Sequence, residues 1–206
     1  EELRTSWLGK TKDLPMRRIM MIPLLLLAGC ASAPTQTSNV CAVFDQKDGF
    51  FNNWYSYAKG AEAQYGVPVP ILMATINTES GFQARARPPR TKLLGFIPWT
   101  RPSTAYGYSQ ALDGTWAEFQ RSTGRYGSGR TSFADAVYFV GWYHAQSNKK
   151  NGIPLNDAYN LYAAYYAGPK EYARGTWRNR PGVDRAARRT AAMASRYAAQ
   201  MQSCGL

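Results

Sequence analysis

Histidine occurs once in 206 residues, at position 144, and cysteine three times, at 30, 41 and 204. A serine–histidine–acid triad needs an imidazole beside its nucleophile, and a zinc site needs clustered nitrogen or sulfur ligands. Neither has its parts here, so no metal and no cofactor are expected. His144, in the middle of a helical pattern, reads as a packing residue. Acidic side chains are also scarce, with 13 Asp and Glu against 25 Lys and Arg, a formal net charge of +12. Such a surface suits an anionic partner, whether nucleic acid, lipid headgroups or a wall polymer. Alternation with a period of two is rare, so strands should be few. There is no glycine-rich phosphate loop and no internal repeat. No apolar run reaches the ~20 residues that a membrane-spanning helix requires.

What remains has a globular balance, 45% hydrophobic and 18% charged, with length for one well-cored domain. It reads as helix after helix. An amphipathic segment from Phe50 to Tyr65 ends at Gly66. Ser132-Phe-Ala-Asp135 resembles a capping box and opens a helix to about Ser147. Asn156-Asp157 starts another, with Tyr159, Tyr162, Ala163 and Tyr166 at three- and four-residue spacing until Gly168-Pro169. Val183 to Gln202 forms an Ala/Arg-rich terminal helix, on which Arg185, Arg188 and Arg189 make a solvated face. The 14 tyrosines and 6 tryptophans either pack or line a groove that stacks on sugar rings.

One helix carries an acid in an unusual setting. Ile71 to Gly81 reads Ile-Leu-Met-Ala-Thr-Ile-Asn-Thr-Glu-Ser-Gly, and Leu72, Ile76 and Glu79 fall on one face. Pro68 and Pro70 fit only the first turn, and Gly81 ends the helix just past the carboxylate. A carboxyl at the end of an apolar stripe should have a raised pKa and hold a proton near neutrality, as a general acid must. The plainer reading is a half-exposed, inert glutamate at a helix C-terminus, and one acid does not decide between them.

The first 29 residues stand apart. Met16-Arg17-Arg18 has the form of an initiator with a basic segment, which makes residues 1–15 an over-extended start. Ile19 to Leu27 is a short apolar core, and Leu27-Ala-Gly-Cys30 resembles the lipobox of bacterial lipoproteins. That resemblance implies cleavage before Cys30 and a lipid anchor on it. With Ala31 next, and a Gram-negative source assumed, it implies attachment to the outer membrane, facing the periplasm. Export argues against nucleic acid as the partner of the positive charge. Residues 30–40 read as a small, polar, lipidated tether, and residues 41–206 as the domain. With Cys30 acylated, an oxidising compartment favours a Cys41–Cys204 bond over two free buried thiols.

Three short motifs follow in order. Glu79-Ser80-Gly81-Phe82 closes its helix, Gly107-Tyr108-Ser109-Gln110 begins 28 residues later, and Ala164-Tyr165-Tyr166-Ala167-Gly168-Pro169 ends a later helix. Together they resemble the soluble lytic transglycosylase family, glycoside hydrolase family 23. The resemblance implies an all-α, goose-lysozyme-like fold, needing no cofactor and acting as a monomer on peptidoglycan glycan strands. It implies non-hydrolytic cleavage between N-acetylmuramic acid and N-acetylglucosamine, leaving 1,6-anhydro ends. By the same resemblance, Glu79 is acid and then base, and the Tyr165 hydroxyl bonds its carboxylate. Ser80, Tyr108, Ser109 and Gln110 match groups that hold sugar and acetamide.

The chain departs from the family pattern at Tyr166, where asparagine is usual, and at Tyr108-Ser109, where Leu-Met is usual. Both changes bear on the shape of the sugar pocket. A further segment, Arg87 to Pro102, is longer than in compact members. It reads either as a stiff basic lip for peptide carboxylates with Trp99 against a sugar, or as a surface loop docked by Leu93, Leu94, Phe96 and Ile97. Two other functions compete with the transglycosylase: a goose-type hydrolase using Asp113 to activate water, and an inactive wall-binding lipoprotein.

Overall fold

The computed structural model describes residues 32–47, 53–98 and 100–206. Residues 1–29, expected to be a signal segment, lie outside these residues, as do Cys30 and Trp99. Among the described residues the architecture is all-α, with eight α-helices. They are α1 (Val40–Lys47), α2 (Trp54–Tyr65), α3 (Val69–Ser80), α4 (Asp113–Thr123), α5 (Phe133–Asn151), α6 (Ala158–Ala167), α7 (Pro169–Arg174) and α8 (Pro181–Ser203). A 3₁₀ turn, Thr176–Asn179, precedes α8. The only strands described are β1 (Lys92–Leu93) and β2 (Ile97–Pro98), an antiparallel hairpin between α3 and α4.

Local chemistry sets the helix ends. Pro68 caps α3 and Gly81 terminates it in the left-handed conformation at φ 57°, its N–H bonded to the Asn77 carbonyl at 2.8 Å. The Ser132 hydroxyl caps α5 through the Asp135 N–H, and the Asp157 carboxylate caps α6 through the Asn160 N–H. The α5 helix runs to Asn151, one turn beyond the expected Ser147, because Gly152 is the first residue free to take φ 67°.

The central helix is α3. Val69, Ile71, Leu72, Met73, Ala74, Thr75 and Ile76 are all buried, so it lacks a polar face until Asn77, Thr78 and Glu79. A helix apolar all round must be surrounded. Here α8, α5 and α2 pack against it. The predicted one-sided stripe through Leu72, Ile76 and Glu79 is thus the edge of a wider apolar surface. Each fully buried Leu, Ile or Phe contributes roughly 1.5–3 kcal/mol by leaving water.

Two clusters of buried residues form. The larger joins α1 to α6 with part of α8, and contains stacked Trp54 and Phe133, 3.8 Å apart. The smaller gathers Tyr162, Ala163, Trp177, Val183, Ala186 and Ala187 between α6, the 3₁₀ turn and α8.

The expected tether is docked over much of its length. Pro34 and Val40 are buried, and the Thr37 carbonyl accepts from Tyr197 Oη and, at 3.2 Å, from Asn77 Nδ2. Gln200 Oε1 receives the Val40 N–H at 2.9 Å. A disulfide joins Cys41 in α1 to Cys204 at the end of α8, Cα atoms 6.6 Å apart and 163 residues apart in sequence. The docked-loop reading of residues 87–102 is not what the hairpin shows. Leu94, Phe96 and Ile97 are 76%, 72% and 40% exposed, because the two short strands pair with each other and project their turn away from the core.

Candidate active site

Glu79 sits in the last turn of α3, where the chain leaves through two successive left-handed residues, Gly81 and Phe82. Glycine adopts that conformation freely, whereas Phe82 at φ 61° carries roughly 1–2 kcal/mol of strain. Its ring is fully buried 5.8 Å from Trp54, and this packing holds the turn. The end of α3 is fixed on its other side by Thr78 Oγ1, 2.9 Å from Thr190 Oγ1 of α8, and by Asn77 Nδ2 donating to Tyr197 Oη at 2.9 Å.

The α6 helix crosses the end of α3 and presents two tyrosines to it. Tyr162 donates its hydroxyl to Glu79 Oε1 at 2.7 Å. Tyr165, three residues on, donates instead to the Ser109 backbone carbonyl at 2.6 Å. The bond expected from Tyr165 to the Glu79 carboxylate is therefore made by Tyr162. The two rings stack at 6.3 Å with an 18° interplanar angle, so one packed pair serves both bonds. Beneath Tyr165 lie Tyr143 at 4.8 Å and His144 at 5.5 Å.

Burial raises the Glu79 pKa to about 7, and the Tyr162 hydrogen bond opposes that rise. Glu79 keeps part of its surface open while protein packs densely about the carboxyl. No neighbouring carboxylate contributes to the shift. Burial also pushes Tyr162 and Tyr165 well above the ordinary tyrosine range, so both remain protonated donors. His144 is fully buried and its pKa falls to about 3, which keeps it neutral. The Thr75 hydroxyl donates to the Ile71 carbonyl at 2.9 Å, so His144 Nε2, 3.1 Å from Thr75 Oγ1, carries the ring proton. It is a packing residue, as its position in the sequence indicates.

The Gly107–Gln110 turn forms the facing wall. Gly107 has φ 78°, and a Cβ there would overlap the Arg130 carbonyl oxygen, so only glycine fits. The Tyr108 N–H bonds that same carbonyl at 3.2 Å. Gln110, at φ 51°, spends its amide on the Ala86 and Gly107 carbonyls at 2.9 and 2.8 Å. Its Nε2 therefore shapes the turn, which leaves Oε1 as the group available to a ligand. Tyr108 is 4% exposed, edge-on to Trp54 and Phe133, and acts as core. Ser109 is buried and offers the carbonyl that anchors Tyr165. Ser80 is buried and its hydroxyl turns back to the Ile76 carbonyl at 3.2 Å.

Tyr166 is 50% exposed beside Tyr162, 6.4 Å between ring centres, with the Arg180 guanidinium 5.7 Å from its ring. It is the one expected sugar contact on α6 that stands open. Asp113 begins α4 and is paired to Arg130 at 2.7 Å. No histidine, cysteine and carboxylate cluster able to hold a metal ion occurs among the described residues. Sequence reasoning passed over Tyr162 as the carboxylate's partner, although it lay on the noted tyrosine stripe.

An all-α domain with one half-buried, protonatable carboxyl at a helix end, facing a glycine-dependent turn, has the form of a lysozyme-like glycan-cleaving protein. The model of the transglycosylase SLT domain family matches residues 18–204, and the chain belongs to that family. It is a family of peptidoglycan-degrading enzymes. No curated protein matches the chain.

Proposed function

We propose that this protein is a lytic transglycosylase that cleaves the β-1,4 bond between N-acetylmuramic acid and N-acetylglucosamine without water. The observation that carries the reading is Glu79, with its pKa near 7, one hydroxyl donor and no partner acid among the described residues. Protonated Glu79 gives its proton to the glycosidic oxygen, and N-acetylglucosamine departs with the bonding pair. The acetamide oxygen of the muramyl sugar stabilises C1, in place of a second carboxylate. Glu79, now charged, takes the proton from the C6 hydroxyl as that oxygen attacks C1. The acid is regenerated and the new end is a 1,6-anhydro sugar. Tyr162 positions the carboxylate through both proton transfers, and Tyr166 offers an open ring to the sugar. Tyr165 and Gln110 hold the facing turn.

Mass analysis of digested sacculi tests this reading. Anhydro ends, one water lighter than reducing ends, are expected. Glu79→Gln should lower the rate by roughly 10²–10⁴, the range for lost acid–base catalysis. Asp113→Asn should leave it nearly unchanged, since Asp113 is held by Arg130. Reducing ends, with Asp113→Asn inactive, would identify a hydrolase instead. No cleavage by the folded wild-type protein would leave a wall-binding role. The reading also places the protein in the periplasm on a lipid attached to Cys30, on the support of the Leu27–Cys30 pattern. Cys30→Ser expressed from Met16 should lose label from palmitate.

A further inference from the structure

We propose that the hairpin between α3 and α4 is a membrane-docking wedge that inserts its apolar tip into an anionic phospholipid surface. This stands apart from the cleavage reading, since it uses none of the residues assigned to the reaction.

The turn Leu94-Gly95-Phe96 joins strands paired only to each other, with Lys92 opposite Pro98 and Leu93 opposite Ile97. Leu94 and Phe96 are 76% and 72% exposed, the two most exposed large hydrophobic side chains among the described residues. Leu94 holds φ 53°, outside the region favoured by a side chain with a Cβ, and does so without burying itself. A contiguous apolar tip of this kind marks a contact surface rather than a scattered surface leucine.

Charge selects the partner. No acidic residue occurs between Glu79 and Asp113, while Arg85, Arg87, Arg90, Lys92 and Arg101 all do. At the hairpin base the Arg101 guanidinium is fixed on the Pro88 carbonyl, and Arg87 lies 4.0 Å over the Tyr106 ring. They line an open cavity of about 490 Å³ with Arg130, Asp113, Ser103 and Thr104. Asp113 is neutralised by Arg130, which leaves Arg87, Arg101 and two hydroxyls facing the opening. That is a donor set for a phosphate.

The two features are spaced for a bilayer. The Thr91 N–H bonds the Thr100 carbonyl at 2.8 Å, so the hairpin holds its shape to the base of the strands. From there to Phe96 the chain rises roughly 10–15 Å at ~3.3 Å per residue. An interfacial segment buries its apolar part about 5–10 Å below the headgroups. With the tip at that depth, the cavity lies at headgroup level. A peptide carboxylate would account for the cavity but leaves the tip uncovered.

Hydrogen exchange of the full chain is the test, because it locates contact whatever other anchor the protein has. Vesicles of phosphatidylglycerol and phosphatidylcholine should slow exchange across residues 91–100, and pure phosphatidylcholine should do so much less. Leu94→Ser with Phe96→Ser should abolish that protection while leaving cleavage of soluble glycan strands unchanged. Arg87→Gln with Arg101→Gln should weaken binding to the anionic vesicles roughly thirtyfold, from the usual contribution of two surface cations. Exchange at 91–100 that ignores anionic vesicles would overturn the proposal. So would protection there by peptide-bearing wall fragments and not by lipid, which would assign the cavity to peptide carboxylates.

Discussion

The Tyr162 hydroxyl meets Glu79 Oε1 at 2.7 Å, while Tyr165, stacked on Tyr162, reaches the Ser109 carbonyl at 2.6 Å. One helix thus ties the acid at the end of α3 to the turn that faces it. The Tyr162 bond favours the charged form of Glu79 and burial favours the neutral form, with burial the larger effect. The balance lies near pH 7, and it has measurable consequences for stability and for rate.

Stability should depend on pH through Glu79. Its pKa rises on folding from an ordinary 4.5 to about 7, so the folded state binds the proton more tightly. Below about 4.5 both states are protonated and the group has no effect on stability. Between about 4.5 and 7 the folded state alone holds the proton, so stability falls as pH rises, by at most about 3 kcal/mol. Above about 7 the loss is complete. Glu79→Gln removes this dependence, so its melting temperature should exceed wild type at pH 8 and approach it near pH 4.5. A difference that grows towards acid pH would contradict the assignment.

The rate should fall as pH rises through about 7, because the first step of the proposed reaction needs protonated Glu79. Tyr162→Phe removes the bond that favours the carboxylate, so this limb should shift to higher pH. At pH 5.5 the variant should lose activity only modestly, through poorer positioning. At pH 8 it should lose about 1.5–3 kcal/mol of stability, the usual worth of a hydrogen bond to a charged group. Tyr165→Phe, by contrast, should lower the rate without moving the limb, since its hydroxyl meets Ser109.

Gly107→Ala should cost about 2–4 kcal/mol, because φ 78° and the overlap with the Arg130 carbonyl act together. Activity should fall further than stability, since the same turn carries Ser109 and Gln110. Chemical denaturation and sacculus digestion on one sample separate the two effects. A variant with wild-type midpoint would show that the turn has another packing available.

Reducing the Cys41–Cys204 bond should lower stability by up to about 5 kcal/mol, the chain-entropy value for a loop closed over 163 residues. Paired Cys41→Ala and Cys204→Ala should match reduced wild type and be insensitive to dithiothreitol. Free thiols at Cys41 and Cys204 in unreduced, denatured protein would remove the bond. The effect should centre on α1 and the end of α8, which it joins, and leave the Glu79 site in place.

Much of this was legible in the order of residues. Helix ends were fixed by proline, glycine and capping side chains, which act within four residues of themselves. The apolar residues before Glu79 left two readings of it open, and the family followed from three motifs in order. The disulfide followed from cysteine count and compartment. Other features depended on the packing of distant segments. Tyr162 and Tyr165 lie close on one helix surface, and only the packing of α6 on α8 and α5 decides which hydroxyl meets the acid. Gln110 matched a sugar-holding group, yet its amide is drawn to Ala86, 24 residues back. Residues 34–40 looked like tether because they are small and polar, but Tyr197 and Gln200 of α8 and Asn77 of α3 supply the donors that dock them. Leu94 and Phe96 had the composition of an anchor into the core, and two short strands turned them outward. Local sequence sets where a chain turns and which side chains leave water; which polar groups then meet is set by segments a hundred residues apart.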